Sequence, residues 1–173
     1  MTGVVGFGPS GPPAFDPVRR VLTFTTPPLE KDLEIAGPIK LVLYASSTRS
    51  DTDFFVKLAE QYPQGNAQLV TKGWLRASHR ALDAARSTEM EPYHTHTRPE
   101  PIKPGEVYRF DIGIEPNAYR FKQGNRIRLE VVNGDSPVTD MLWTHYYAPD
   151  KIGQDTIWHS EKYPSTLILP VHE

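Results

Sequence analysis

The sequence predicts an all-β domain, two antiparallel sheets packed face to face as a jelly-roll sandwich. Apolar and polar residues alternate along most of the chain from Val21 onward, the period of a strand that buries one face. Punctuation is dense: 12 glycines and 17 prolines among 173 residues, which argues against a helical bundle. The alternating runs are short and number about eight or nine, so two sheets must cover each other's apolar faces.

Residues 1–20 read as a tail or interdomain linker, and residues 21–173 as the sandwich. Gly3, Gly6, Gly8, Pro9, Gly11, Pro12, Pro13 and Pro17 crowd the tail, a density that no packed element tolerates. Val21 to Thr25 is a short strand stopped by Pro27-Pro28. A second strand begins after Gly37-Pro38, with Ile39, Leu41, Leu43 and Ala45 on one face. Asp53 to Tyr62 places Phe54, Val56 and Leu58 on one side and Phe55, Lys57 and Ala59 on the other. The turn Pro63-Gln64-Gly65-Asn66 sends Ala67 to Ala77 back antiparallel. Residues 80–103 lose the period and hold Pro92, Pro99 and Pro101. They read as a long loop with one helical turn near Leu82 to Arg86. Glu106 to Glu115 resumes the alternation, with Tyr108, Phe110, Ile112 and Ile114 facing one way and Arg109 and Asp111 the other. After the turn Lys122-Gln123-Gly124-Asn125, Arg126 to Asn133 turns Ile127, Leu129 and Val131 inward and leaves Arg126, Arg128 and Glu130 as an exposed charged face. A second irregular stretch covers 134–153. Gln154 to His159 and Ser165 to Val171 are the closing strands.

Charge and composition exclude several functions. Lys plus Arg is 19 and Asp plus Glu is 21, a formal net charge of −2, so no basic excess points to nucleic acid or to an anionic membrane. There are no cysteines, which removes disulfides, thiol catalysis and thiolate zinc sites. No apolar run reaches the ~18 residues of a membrane span and no signal peptide opens the chain, so a cytoplasmic location is favoured.

The catalytic motifs are weak. Gly8-Pro9-Ser10-Gly11-Pro12 falls short of a nucleophile elbow: it lacks the final glycine, and Pro12-Pro13 cannot carry on the helix that would support an oxyanion hole. His94 and His96 at i and i+2 would point to one side of a strand, which suits a metal pair, with His79, Asp83, Glu89 or Glu91 as a third ligand. In a proline-flanked loop such histidines are more simply solvated or hydrogen-bonded. We therefore expect no metal and no cofactor. Asp51 and Asp53 offer two carboxylates but lack the glycine-punctuated acidic loop of a calcium site, and read as a turn that caps a strand. The most informative loop is Met141 to Tyr147. Its aromatics Trp143, Tyr146 and Tyr147 fit no strand register. They either roof the core or form a contact surface, to which Phe7 and Phe15 of the tail would add.

Several stretches taken in order resemble the C-terminal β-sandwich domain of the X-Pro dipeptidyl-peptidase and cocaine-esterase family of serine hydrolases. They are Val21 to Leu29, Ile35 to Ile39, Leu43 to Ser47, Asp51 to Phe54, Lys57-Leu58 and Gly73 to Ala77. Pro104 to Tyr108, Phe121 to Leu129 and Tyr163 to Val171 complete the set. The loop Pro92 to His96 looks like the acyl-hydrolase branch more than the peptidase branch. The resemblance implies a jelly roll similar to galactose-binding domains, with the catalytic serine, aspartate and histidine in a preceding α/β-hydrolase domain. None of the three has a counterpart here, so no catalytic residue is expected. The chain would then be a detached domain that packs on the catalytic domain and shapes substrate access, with Trp143, Tyr146 and Tyr147 as contacts. Homo-oligomerisation is left open. The alternatives are a stand-alone carbohydrate- or ligand-binding jelly roll stacking sugars on Trp74, Trp143 and Tyr146, and an independent metalloenzyme built on His94 and His96.

Overall fold

The computed structural model of this chain describes residues 21–134 and 152–172 and the backbone of residues 2–4. The strands in chain order are β1 (Thr2–Val4), β2 (Val21–Thr25), β3 (Leu33–Ser47), β4 (Asp53–Gln61), β5 (Ala67–Arg76), β6 (Tyr108–Phe121), β7 (Arg126–Val132), β8 (Asp155–Trp158), β9 (Thr166–Ile168) and β10 (Val171–His172). All pairings are antiparallel. The strand order is β1-β2-β7-β4-β5-β6-β3-β10, with β8 and β9 also on β3. The C-terminal strands share one edge of β3 end to end: β10 at Glu34 and Ile35, β9 at Lys40 to Val42, β8 at Tyr44 to Ser47.

This continuous ribbon folds over on itself. β5 separates β4 from β6 in the ladder, yet the rings of Phe54 on β4 and Phe110 on β6 stand 5.0 Å apart. β2, β7, β4 and β5 thus form one layer, and β6 and β3 with its edge strands form the other. The expected alternation supplies the core between them. Phe54, Val56 and Leu58 meet Leu41, Leu43, Phe110 and Ile112, all 2% exposed or less. The fold class is the β-sandwich that the period-2 pattern called for.

The bend lies where β5 passes β6. These strands share one paired position, Gly73 with Ile114. A Cβ on Gly73 would fall 2.2 Å from the carbonyl oxygen of Gly113 and 2.8 Å from the Cα of Ile114. Only hydrogen fits there. The Thr71 hydroxyl donates to the Glu115 carbonyl (2.8 Å) and the Asn117 amide to the Val70 carbonyl (3.1 Å), fastening the same crossing.

Several boundaries differ from expectation. β3 starts at Leu33 and runs through Gly37-Pro38, and β6 runs through Pro116 to Phe121. The two prolines share one bulge: the register passes from Gly37↔Asn117 to Ile39↔Ile114. A bulge leaves residues out of the ladder, so neither missing N–H is needed. The last strand is split, because Pro170 interrupts it between β9 and β10. In the long loop the helical turn is a single turn in which the N–H groups of Arg86 and Ser87 reach the Asp83 carbonyl. Residues 2–4 pair with β2. The β2–β7–β4 face expected to be open and charged is half-covered. Thr23 and Lys57 are buried there, and Arg128 and Glu130 pair at 2.7 Å with side chains 18% and 21% exposed.

Gly73→Ala should destabilise the domain by about 1–3 kcal/mol or more through overpacking against backbone. Gly113→Ala, whose Cβ would meet only the Pro92 ring at 3.6 Å, should change stability by less than about 0.5 kcal/mol. Urea unfolding of the two variants checks the contrast.

Candidate functional site

Residues 77–107 leave β5, cross the outward face of the β3–β6 layer and return to β6. Four prolines keep this segment from pairing as a strand, so it satisfies its backbone groups with turns and with the sheet below. A short 3-10 turn, Ala77–His79, opens it. Leu82 then bridges His94, and the Asp83 N–H donates to the Tyr93 carbonyl (2.9 Å). The Arg86 guanidinium lies 3.4 Å from the centre of the Tyr93 ring. Two anchors reach the sheet. Lys40, buried on β3, donates to the Glu89 carbonyl and stands 3.9 Å from Asp111. His94 Nε2 lies 2.9 Å from the Asp111 carbonyl. Farther on, Ile102 is buried in the core and its N–H donates to Ser50.

The segment gathers three imidazoles. His79 Nδ1 and His96 Nδ1 are 3.1 Å apart, with ring centres at 5.2 Å. The His94 ring is 5.9 Å from that of His96. His96 is the one non-glycine residue with positive φ, 53°, among the described residues. His94 Nδ1 is buried without a hydrogen-bond partner. Of the possible third ligands, His79 contacts His96. The Asp83 carboxylate caps its own turn, accepting from the N–H groups of Ala85 and Arg86. Among the described residues, no three His, Asp or Glu side chains are placed so that together they could hold a metal ion.

Asp51 and Asp53 are structural, as the turn reading expects. Asp51 accepts from the N–H groups of Thr52 (3.1 Å) and Ser78 (2.8 Å) and from the Ser78 hydroxyl (2.9 Å). Asp53 accepts from Arg76 Nε at 2.8 Å. Beside them the Asn133 amide and the Thr52 hydroxyl donate to Asp155 at 2.6 and 2.7 Å. These bonds tie the β3–β4 turn to the ends of β5, β7 and β8. The hydroxyls nearby are committed as well: Ser46 accepts the Trp158 indole N–H, and Ser165 donates to the Trp158 carbonyl.

The sequence did not single out Glu60. It is 3% exposed and faces the interior of the sandwich from β4. Its carboxylate accepts from the Tyr119 hydroxyl (2.7 Å), the Lys122 N–H (2.7 Å) and the Asn125 amide (2.9 Å). It thereby locks the β6–β7 turn onto the other layer. Burial, the largest single influence, pushes the carboxyl up. The three hydrogen bonds and the Lys122 charge together outweigh burial and hold it below its usual value. Burial, and then the bond to Glu60, push the Tyr119 phenol up. The signal was the turn Lys122-Gln123-Gly124-Asn125, which presents an N–H and an amide to one acceptor.

The contact residues Trp143, Tyr146 and Tyr147 lie outside the described residues, as do Phe7 and Phe15. Trp74, the remaining candidate for sugar stacking, is 54% exposed on β5 opposite Phe55. Trp158 packs edge-on against Tyr163.

In this two-layer antiparallel sandwich the carboxylates of Asp51, Asp53, Asp155 and Glu60 are engaged in turns and layer contacts. The chain belongs to the family described as the X-Pro dipeptidyl-peptidase C-terminal non-catalytic domain, matched over residues 14–168. It is 32% identical over 156 residues to the Mycobacterium bovis protein named "Putative serine esterase", covering 88% of this chain and 24% of that protein. It is 29% identical to the cocaine esterase of Rhodococcus sp., over 95% of this chain and 28% of that one. Among solved structures, a CocE/NonD family hydrolase from Staphylococcus aureus matches with a TM-score of 0.78 and 27% identity, over 89% of this chain and 31% of that one. The chain thus spans about a quarter of the length of the curated relatives it matches. No described helix is long and apolar enough to cross a membrane.

Replacing Glu60 with Gln should cost about 2 kcal/mol at neutral pH, the scale of hydrogen bonds to a charged group. The carboxyl is held below its unfolded value of about 4.5, so its contribution is complete above that pH and fades as pH falls through the folded value. Thermal melts from pH 7 to pH 3 should therefore show a wild-type chain losing stability faster than Glu60→Gln, with the curves converging at acid pH.

Proposed function

We propose that this chain serves as the C-terminal domain of an ester-cleaving serine hydrolase, carrying no catalytic residue of its own. It packs on an α/β-hydrolase domain and shapes the approach to that domain's active site. The observation that carries the reading is the match to a non-catalytic domain family over nearly the whole sandwich, in a chain a quarter the length of its esterase relatives. The relatives named as esterases cover 88% and 95% of this chain, against 70% for one named Xaa-Pro dipeptidyl-peptidase, which favours ester over peptide cleavage, in keeping with the Pro92 to His96 loop. In this reading Trp143, Tyr146 and Tyr147 supply the contact: aromatic side chains bury large area with few torsions to immobilise, which suits the centre of an interface.

The test uses the α/β-hydrolase domain of the parent and this chain as separate polypeptides. They should form a one-to-one complex by analytical ultracentrifugation. The triple variant Trp143→Ser, Tyr146→Ser, Tyr147→Ser should weaken it at least tenfold, about 1.4 kcal/mol. Unchanged affinity would remove the aromatic contact, and no complex with the wild-type chain would remove the reading as a whole.

A further inference from the structure

The His79–His96 pair of the 77–107 segment has a geometry that suits a shared metal ion as well as a hydrogen bond. Two nitrogens bound to one tetrahedral ion at about 2.0–2.1 Å lie about 3.3 Å apart, with their rings about 5 Å apart. His79 Nδ1 and His96 Nδ1 stand at 3.1 Å and their ring centres at 5.2 Å. The pair bridges the 3-10 turn and the far limb of the loop, 17 residues apart, and so is held by tertiary structure. His96 reaches it from a left-handed backbone conformation that a side-chain-bearing residue seldom adopts.

His94 supplies an independent observation. Its Nε2 lies 2.9 Å from the Asp111 carbonyl, which can only accept, so Nε2 carries the proton. Nδ1 is then a bare lone pair, buried and without a donor. An imidazole that gives one N–H to a backbone carbonyl and keeps the other nitrogen bare is prepared as a metal ligand. It stands beside the pair, ring centres 5.9 Å from His96.

We propose that His79 and His96 chelate one divalent zinc-like cation through their Nδ1 atoms, with His94 as the adjoining imidazole and water in the open positions. Neutral imidazoles without thiolates select borderline ions such as zinc, nickel and copper over magnesium or calcium. The chemistry balances without a redox partner. In the apo pair one Nδ1 carries the shared proton. On binding, that ring shifts its proton to its own Nε2, and both Nδ1 lone pairs go to the metal. The ion would clamp the start of the loop to its end, fixing the segment over the β3–β6 layer. This site is independent of the domain-docking reading.

Calorimetric titration of the full chain with zinc chloride at pH 7.5 tests the proposal, with thermal melts of each variant confirming that it folds. One ion should bind per chain and raise the melting temperature. His79→Ala and His96→Ala should each weaken binding at least tenfold, while His159→Ala leaves it unchanged. Absence of saturable binding would overturn the site. So would binding that survives in the folded His79→Ala, His96→Ala double variant, or that magnesium matches.

Discussion

The close passage of the β5 backbone over β6 at Gly73 is the constraint on which the architecture rests. The ladder is continuous from β2 through β7, β4, β5, β6 and β3. A ribbon of that width could stay open, leaving Phe54 and Phe110 in water. It closes because β5 and β6 pair at one position and then diverge, and because a residue without Cβ lets two backbones approach inside normal contact. Burial of apolar surface drives the closure, but that glycine decides where the bend falls.

Closure has two further consequences. It places Glu60 of one layer against Tyr119 and the β6–β7 turn of the other, so a buried charge becomes a lock between layers. A buried carboxylate without donors would be costly, whereas one with three donors specifies register. Closure also leaves the outward face of β3 and β6 as a floor for residues 77–107. Lys40, Asp111 and the small surface at Gly113 receive that segment, and its histidines meet above the floor. The loop is ordered by contacts from below, which holds its histidines together without regular secondary structure.

The strands were legible because a period-2 apolar pattern determines which face is buried. β2, β4 and β7 fall within a residue or so of the expected spans. The misplaced boundaries share a cause. A proline in sequence reads as a stop, but Pro38 and Pro116 both fall in one bulge, outside the paired register, where neither N–H is required. The histidine cluster was legible in part: His94 and His96 stood out by spacing, and His79 was one of four residues named beside them. Sequence could not choose among them, because the choice depends on how the loop folds over β6. Glu60 was invisible because its partners lie 59 to 65 positions away and are ordinary turn and strand residues. The ordered family stretches carried what periodicity could not: membership of a non-catalytic C-terminal domain family.

The central proposal is that this domain supports chemistry performed on another domain and carries no activated serine of its own. Labelling of the purified chain by a fluorophosphonate, which reacts covalently with activated serines, tests it most directly. The account predicts no adduct by intact-mass spectrometry under conditions that fully label a serine hydrolase. A stoichiometric adduct on one serine of the folded chain, abolished by heat denaturation, would contradict it.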